Sequence, residues 1–263
     1  MKIPDNIFGK DREAELKKYL EESKVPKVET QPESKIIPAI IPASNISNKK
    51  EYIILEGKTY GSYSYPDLLV SANVVHHNNN WHKTQEILHN EGNFMLTIRQ
   101  YVDFLNLITT GKPFDASGNR VDRAKLAKIV DEILTVRSPY RAEWLDAKFR
   151  KQSKGLLRRS ELVVDYGHMF VNGQSQPKYS EPLEECLMED RTPGINLDDW
   201  LERATIQGLP PRDIKQGDLY YWYPRDGSVA GFVAGSGRAF LDCYWDPRSS
   251  GPELGVRQAR AKI

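Results

Sequence analysis

Cysteine is nearly absent: 263 residues hold only Cys186 and Cys243, far apart in the chain. That excludes a disulfide-dense secreted scaffold and a cysteine-based metal site, and leaves two reduced, buried thiols as the expectation. Long apolar runs are missing too. The start, MKIPDNIFGKDREAELKK, has no signal-peptide core, and no stretch reaches the roughly 18 apolar residues of a membrane span. Synthesis as a soluble cytoplasmic protein is therefore expected. Nor is there a surplus of one charge: 37 Lys and Arg face 36 Asp and Glu, so no global field draws the chain to nucleic acid, and none is expected as a partner.

Residues that suggest chemistry are present, but their spacing argues against it. His76 and His77 are adjacent and point to opposite sides of an extended chain, and His82 adds no fourth ligand, so His76 to His82 reads as a polar loop built on Asn78, Asn79 and Asn80. The phrase DASGNRVD, Asp115 to Asp122, has its glycine at the wrong place for a calcium loop, and Leu126 stands where the bidentate glutamate belongs. It reads as a turn between helices. Arg150, Lys151, Lys154, Arg158 and Arg159 form a basic run without interleaved aromatics, a solvated surface rather than a nucleic-acid site. Glu184 with Glu185 and Asp198 with Asp199 are neighbours whose side chains diverge on a helix, which makes a poor acid–base pair. Neither a metal, a cofactor nor a catalytic group is expected.

Organisation follows from periodicity. A short helix is predicted over 11 to 23, followed by an arm in which Pro26, Pro32, Pro38 and Pro42 forbid helix and interior strand. Residues 1–50 are thus read as a helix and proline-rich arm, and 51–263 as one folded domain. Aromatic and β-branched segments from Tyr52 to Val75, broken by Gly57, Gly61 and Pro66, predict short strands. Thr97 and Gln100 form a capping box ahead of Ile98, Tyr101, Val102, Leu105 and Ile108, a helix ended by Gly111 and Pro113. A second helix is predicted from Asp122, and a third from Ser138 that would bury Trp144, Leu145 and Phe149. A brief helix near 198–203 precedes strands from Asp218 to the carboxyl end.

At that end two kinds of position alternate. Phe232, Ala234, Ala239, Leu241 and Cys243 fall on every second residue and predict the buried face of extended strands. The intervening set mixes Gly231, Val233, Gly235, Arg238, Phe240, Asp242 and Tyr244, followed by Trp245, Arg248, Ser249 and Ser250. A plain solvent face would be Lys, Glu and Thr; aromatic and arginine side chains are those that dominate recognition. These eleven residues are the candidate contact set for a protein or other macromolecular ligand. Gly227, Phe232, Ala239, Leu241, Leu254, Gly255, Val256 and Arg257 are the candidate scaffold, with Arg257 requiring a buried partner.

The words GSVAG at 227–231, DP at 246–247 and LGVRQAR at 254–260 resemble the closing part of the C-type lectin fold. The similar subclass is shared by formylglycine-generating enzymes and by the variable proteins of diversity-generating retroelements, the archaeal type in particular. MLTIRQYVDFLN resembles that fold's first long helix, which packs under the sheet. The resemblance implies an α+β C-type lectin fold with helical and loop insertions. It implies a ligand-binding protein whose hypervariable positions, within about 227–260, are rewritten by adenine-directed mutagenesis. It also names two alternatives: a phage or virus structural or receptor-binding protein of fixed specificity, and a formylglycine-generating-like oxidase. The oxidase chemistry uses a close cysteine pair in the C-terminal part, where this chain has Cys243 alone.

Overall fold

The computed structural model describes residues 48–154 and 159–262. The expected amino-terminal helix and nearly all of the proline-rich arm lie outside them. Short strands come first: β1 (Tyr52–Leu55), β2 (Lys58–Tyr60), β3 (Tyr63–Tyr65) and β4 (Leu68–Ser71). They are followed by α1 (Trp81–Asn90), β5 (Phe94–Met95), α2 (Ile98–Thr110) and α3 (Arg123–Leu134). The sequence periodicity holds for α2, whose Thr97 hydroxyl accepts the Gln100 amide while the Gln100 side chain accepts the Thr97 amide. It holds as well for α3, capped by Asp122. Between them Asp115 Oδ1 accepts the amides of Ser117 and Asn119, so the DASGNRVD phrase is an Asx-type turn.

The segment after Ser138 is the largest departure from expectation. In place of a third helix, β6 (Arg141–Lys154) is the long central strand of a large sheet. The residues read as a helical stripe belong to two faces with a period of two: Leu145, Ala147 and Phe149 enter the main core, whereas Ala142 and Trp144 join a second one. Burial on both sides of a central strand erases the polar alternation that would have announced it. Then come β7 (Arg159–Tyr166), β8 (Met169–Val171), β9 (Gln174–Gln176), β10 (Tyr179–Pro182), β11 (Arg191–Ile195), α4 (Leu197–Arg203) and β12 (Gln216–Gly217). The strands β13 (Leu219–Trp222), β14 (Val229–Ala234), β15 (Ala239–Trp245), β16 (Leu254–Gly255) and β17 (Gln258–Ala261) complete the chain.

Two sheets organise this mixed α+β fold. One is four-stranded, β1-β4-β17-β5, so the last strand closes against the first part of the domain. The other has nine strands in the order β10-β7-β6-β14-β15-β13-β11-β12, with β16 added to β6. Between the sheets, α2, α3 and α4 contribute Tyr101, Phe104, Ile129 and Trp200 to a core that also takes Phe232, Leu241 and Cys243. Among the described residues no helix is long and apolar enough to cross a membrane.

Arg257, 2% exposed, ties these layers together. Its Nη2 and Nε donate to the two carboxylate oxygens of Glu143 on β6, at 2.6 and 3.1 Å. Nη1 donates to the carbonyls of Ser71 and Ala72 at the end of β4, Glu132 of α3 stands 3.6 Å from Nη2, and the Phe104 ring lies beneath the guanidinium. Removing one member leaves a buried charge unpaired, which costs about 3–5 kcal/mol, while an apolar pair of similar volume is tolerated. Chemical denaturation is expected to show a loss of that size for Glu143→Ala, and a smaller loss for the double variant Glu143→Leu with Arg257→Met.

Candidate recognition surface

The carboxyl-terminal strands have two faces with different neighbours. Phe232 and Leu241 pair across β14 and β15 and are 1% and 0% exposed, and Cys243 on the same side is fully buried. Burial drives the Cys243 thiol well above the usual thiol range and the Cys186 thiol up to about 11. Both cysteines are free, and neither environment favours the thiolate that nucleophilic or redox chemistry needs.

The opposite face divides into a covered and an open half. Over β6 and β14 it is roofed: Trp81 and Leu88 of α1, Met95, Leu254 and Val256 pack onto Ala142, Trp144, Val229 and Val233. Two positions of the contact set are therefore packed and not presented. Val233 is 3% exposed in this second core. Gly231 lies under the Trp245 ring, where a Cβ would come within 2.7 Å of Trp245 Cε3. The physical reason is α1, whose Asn80 cap and Trp81 fall at the end of the stretch read from sequence as a polar loop, His76 to His82, and whose Thr84, Gln85 and Leu88 lie beyond it, where no element was assigned. Asn80 followed by that i, i+3, i+4, i+7 pattern was the available signal.

Over β15 and β13 the face is open. These strands run parallel, with Tyr220 beside Phe240 and Trp222 beside Asp242. Edge-to-face contacts link Tyr220 to Trp222 at 6.3 Å and Trp222 to Phe240 at 6.1 Å. All four residues are half-buried, and Arg238 stands exposed at the head of β15. The pairing of β15 with β14 shifts between the Gly231–Asp242 and Val229–Trp245 pairs. This bulge brings Trp245 onto the same side as Asp242, its ring 4.9 Å from that of Trp144, and leaves Tyr244 at 51% exposure. Tyr220 and Trp222 belong to this surface although the candidate set omitted them; the burial of Leu219 and Tyr221 on alternate positions of β13 is the pattern that reveals them.

Compared with known proteins, the chain matches no protein-family model, no curated protein and no solved structure.

At one end of the open half, Arg225 is held between two rings, its guanidinium 4.8 Å from the centre of Tyr223 and 4.0 Å from that of Tyr244. Its Nη2 donates to Asp190 at 2.6 Å. Gly235 lies in the turn after β14, and Arg248, Ser249 and Ser250 follow Asp246, whose carboxylate accepts the Arg248 amide and guanidinium. Tryptophan hydrogen bonding divides along the same line. Trp81, Trp144 and Trp200 donate their indole N–H to the carbonyls of Leu145, Asn79 and Gly208, whereas Trp222 and Trp245 have no acceptor among the described residues.

The remaining polar groups serve structure. Asp146 accepts from Gln85 and from the ring and amide of His168, and Asp103 collects Lys58, Tyr60, Tyr65 and Arg99. His76 pairs with Glu91 at 2.9 Å, and Arg150 with Asp165 at 2.7 Å. Among the described residues no three His, Cys, Asp or Glu side chains converge as a metal site.

Asp242 is the electrostatic exception. Burial among these side chains raises its carboxyl to about 6, and the neighbouring Asp190 adds to the shift, against the amide of Tyr244 that it accepts at 2.7 Å. A carboxyl with a higher pKa in the folded state stabilises the fold at low pH and loses that contribution as pH rises through about 6. Asp242→Asn is therefore expected to raise the melting temperature at pH 7.5 and to leave it unchanged at pH 4, a difference that a calorimetric pH series reads directly. The two faces also differ in mutational cost: Leu241→Ala should lose about 2–5 kcal/mol, whereas Arg238→Ala and Arg248→Ala should stay within about 0.5 kcal/mol of the parent in denaturant titrations.

Proposed function

We propose that this chain is a binding protein that presents recognition side chains on the open half of its large sheet, as a variable protein of a diversity-generating retroelement with a C-type lectin fold. One observation carries the reading: aromatic and charged residues of β13 and β15 stand half-exposed on strands whose alternate residues are locked in the core. Interface hot spots are enriched in Trp, Tyr and Arg, and side chains on paired strands are held with little freedom to lose on binding. The words at 227–231 and 254–260 that resemble the lectin fold coincide with β14 and with the Arg257 anchor, and the helix expected to underlie the sheet is α2. The oxidase alternative is disfavoured because Cys243 is fully buried and faces away from the open surface.

A surface that is rewritten while its support is kept leaves a pattern in related copies of the gene. Sequencing the locus across isolates is expected to find substitutions at Arg238, Phe240, Asp242, Tyr244, Arg248, Ser249 and Ser250. Gly231, Phe232, Val233, Leu241, Cys243 and Arg257 should stay constant. A nearby template repeat with adenine mismatches and a reverse-transcriptase gene should accompany them. Invariant contact codons without such a repeat would favour the phage or virus component of fixed specificity.

A further inference from the structure

The open face holds one charge without a partner. Every other buried or half-buried carboxylate described above meets a cation or several donors: Glu143 has Arg257, Asp103 has Arg99 and Lys58, and Asp190 has Arg225. Asp242 accepts only the Tyr244 amide. No Lys, Arg or His among the described residues lies within ion-pair distance of it. Its neighbour on β13 is Trp222 and its neighbour on β14 is Gly231, over which the Trp245 ring lies. A carboxylate in register with Trp222, whose ring meets that of Phe240, is an arrangement that attracts a cation through both charge and ring faces.

The same surface contains a filled example of this chemistry. Arg225 lies between Tyr223 and Tyr244 and pairs with Asp190, a guanidinium held by two rings and one carboxylate. Asp190 and Arg225 are also the charged groups that act on Asp242, and Gly231 of β14 contributes no side chain. Arg225 forms its ion pair with Asp190, and although its charge also lowers the Asp242 carboxyl, burial and Asp190 outweigh it. This sequence thus carries on the open face a carboxylate that is costly at neutral pH and has no ion-pair partner among the described residues.

Resting on the reading of this face as a binding surface, we infer that the version carried by this sequence takes an arginine side chain of a protein partner, with Asp242 as counter-ion and Trp222 and Phe240 as its aromatic walls. The guanidinium would donate to the Asp242 carboxylate while its flat face lies on the Trp222 ring, as Arg225 does with its own partners. Substrate turnover plays no part in this.

Nitrogen-15 NMR of the full chain tests it, because five tryptophans give five indole signals and Trp222→Phe assigns that of Trp222. The probes are the peptide acetyl-Gly-Arg-Gly-amide and its citrulline counterpart, which has the same shape without the charge. A saturable shift of the Trp222 signal is expected with the arginine peptide, about tenfold weaker with citrulline and with the Asp242→Asn protein. It should fade as pH falls below about 6. Asp242→Asn is expected to keep the remaining spectrum, so a loss of binding is separable from misfolding. No saturable shift, equal shifts with both peptides, or full binding by Asp242→Asn would overturn the inference. So would an equal response to a neutral methyl glucoside, which would point to sugar stacking. These failures leave the proposed function standing, since codon variation at the locus tests that separately.

Discussion

The fold depends on one buried ion pair. Arg257 comes from the segment between β16 and β17, Glu143 from β6, Glu132 from α3 and the Ser71 and Ala72 carbonyls from the end of β4. One guanidinium therefore fixes the last crossing of the chain against both sheets and a helix. The fork geometry of arginine suits this, because two nitrogens serve a carboxylate while a third reaches backbone oxygens, an arrangement a lysine does not reproduce. Such a pair adds little net stability over apolar packing, but it penalises any arrangement that separates the strands it joins. What it contributes is alignment: β6 carries β14, β14 carries β15, and β15 carries the open face.

That alignment explains how one strand serves two purposes. In β15, Leu241 and Cys243 are enclosed by the core while Phe240 and Asp242 look outward between them. Replacing an outward residue that packs on neither core, such as Arg238, removes few contacts, so its chemistry can change at small cost, whereas Phe240 packs against the second core and a single methylene lost from the inward set is felt throughout a close-packed interior. The separation holds only where nothing roofs the outer side. Under α1 the outward residues of β14 are core as well, and Val233 and Gly231 are as constrained as Phe232.

Local rules made the helices and inner alternation readable. Thr97 with Gln100, Asp122 and the every-second-residue pattern around Leu241 each depend on neighbours within a few positions, and each has its expected place. Arg257 was readable for another reason: a guanidinium within an apolar strand must find a carboxylate or carbonyls, although which ones was not visible. What escaped depends on distant contacts. Trp144, Leu145 and Phe149 fit a helical stripe or the two sides of a central strand equally well, and only the cover on both sides of β6 decides. The same cover turned Val233 inward. The β15 bulge has no local signature, yet it brings Trp245 over Gly231 and turns a regular alternation into an irregular surface.

The irregularity has a consequence for binding. Had β15 stayed regular, Tyr244 would follow Phe240 and Asp242 on the open side and Trp245 would turn toward the interior. With the bulge, Trp245 lies against Trp144 and closes the roofed half, and Tyr244 swings out to hold Arg225. Asp242 is thereby left at the boundary between a dry core and an aromatic platform, where burial and Asp190 raise its carboxyl by more than the Tyr244 amide and the Arg225 charge lower it. A surface charge surrounded by water interacts weakly with a partner because solvent competes for it; one already stripped of part of its hydration has less to lose when a cation arrives. On the proposed reading of this face as a binding surface, the same partial burial that opposes folding at neutral pH would let the open half of the sheet discriminate among ligands by charge.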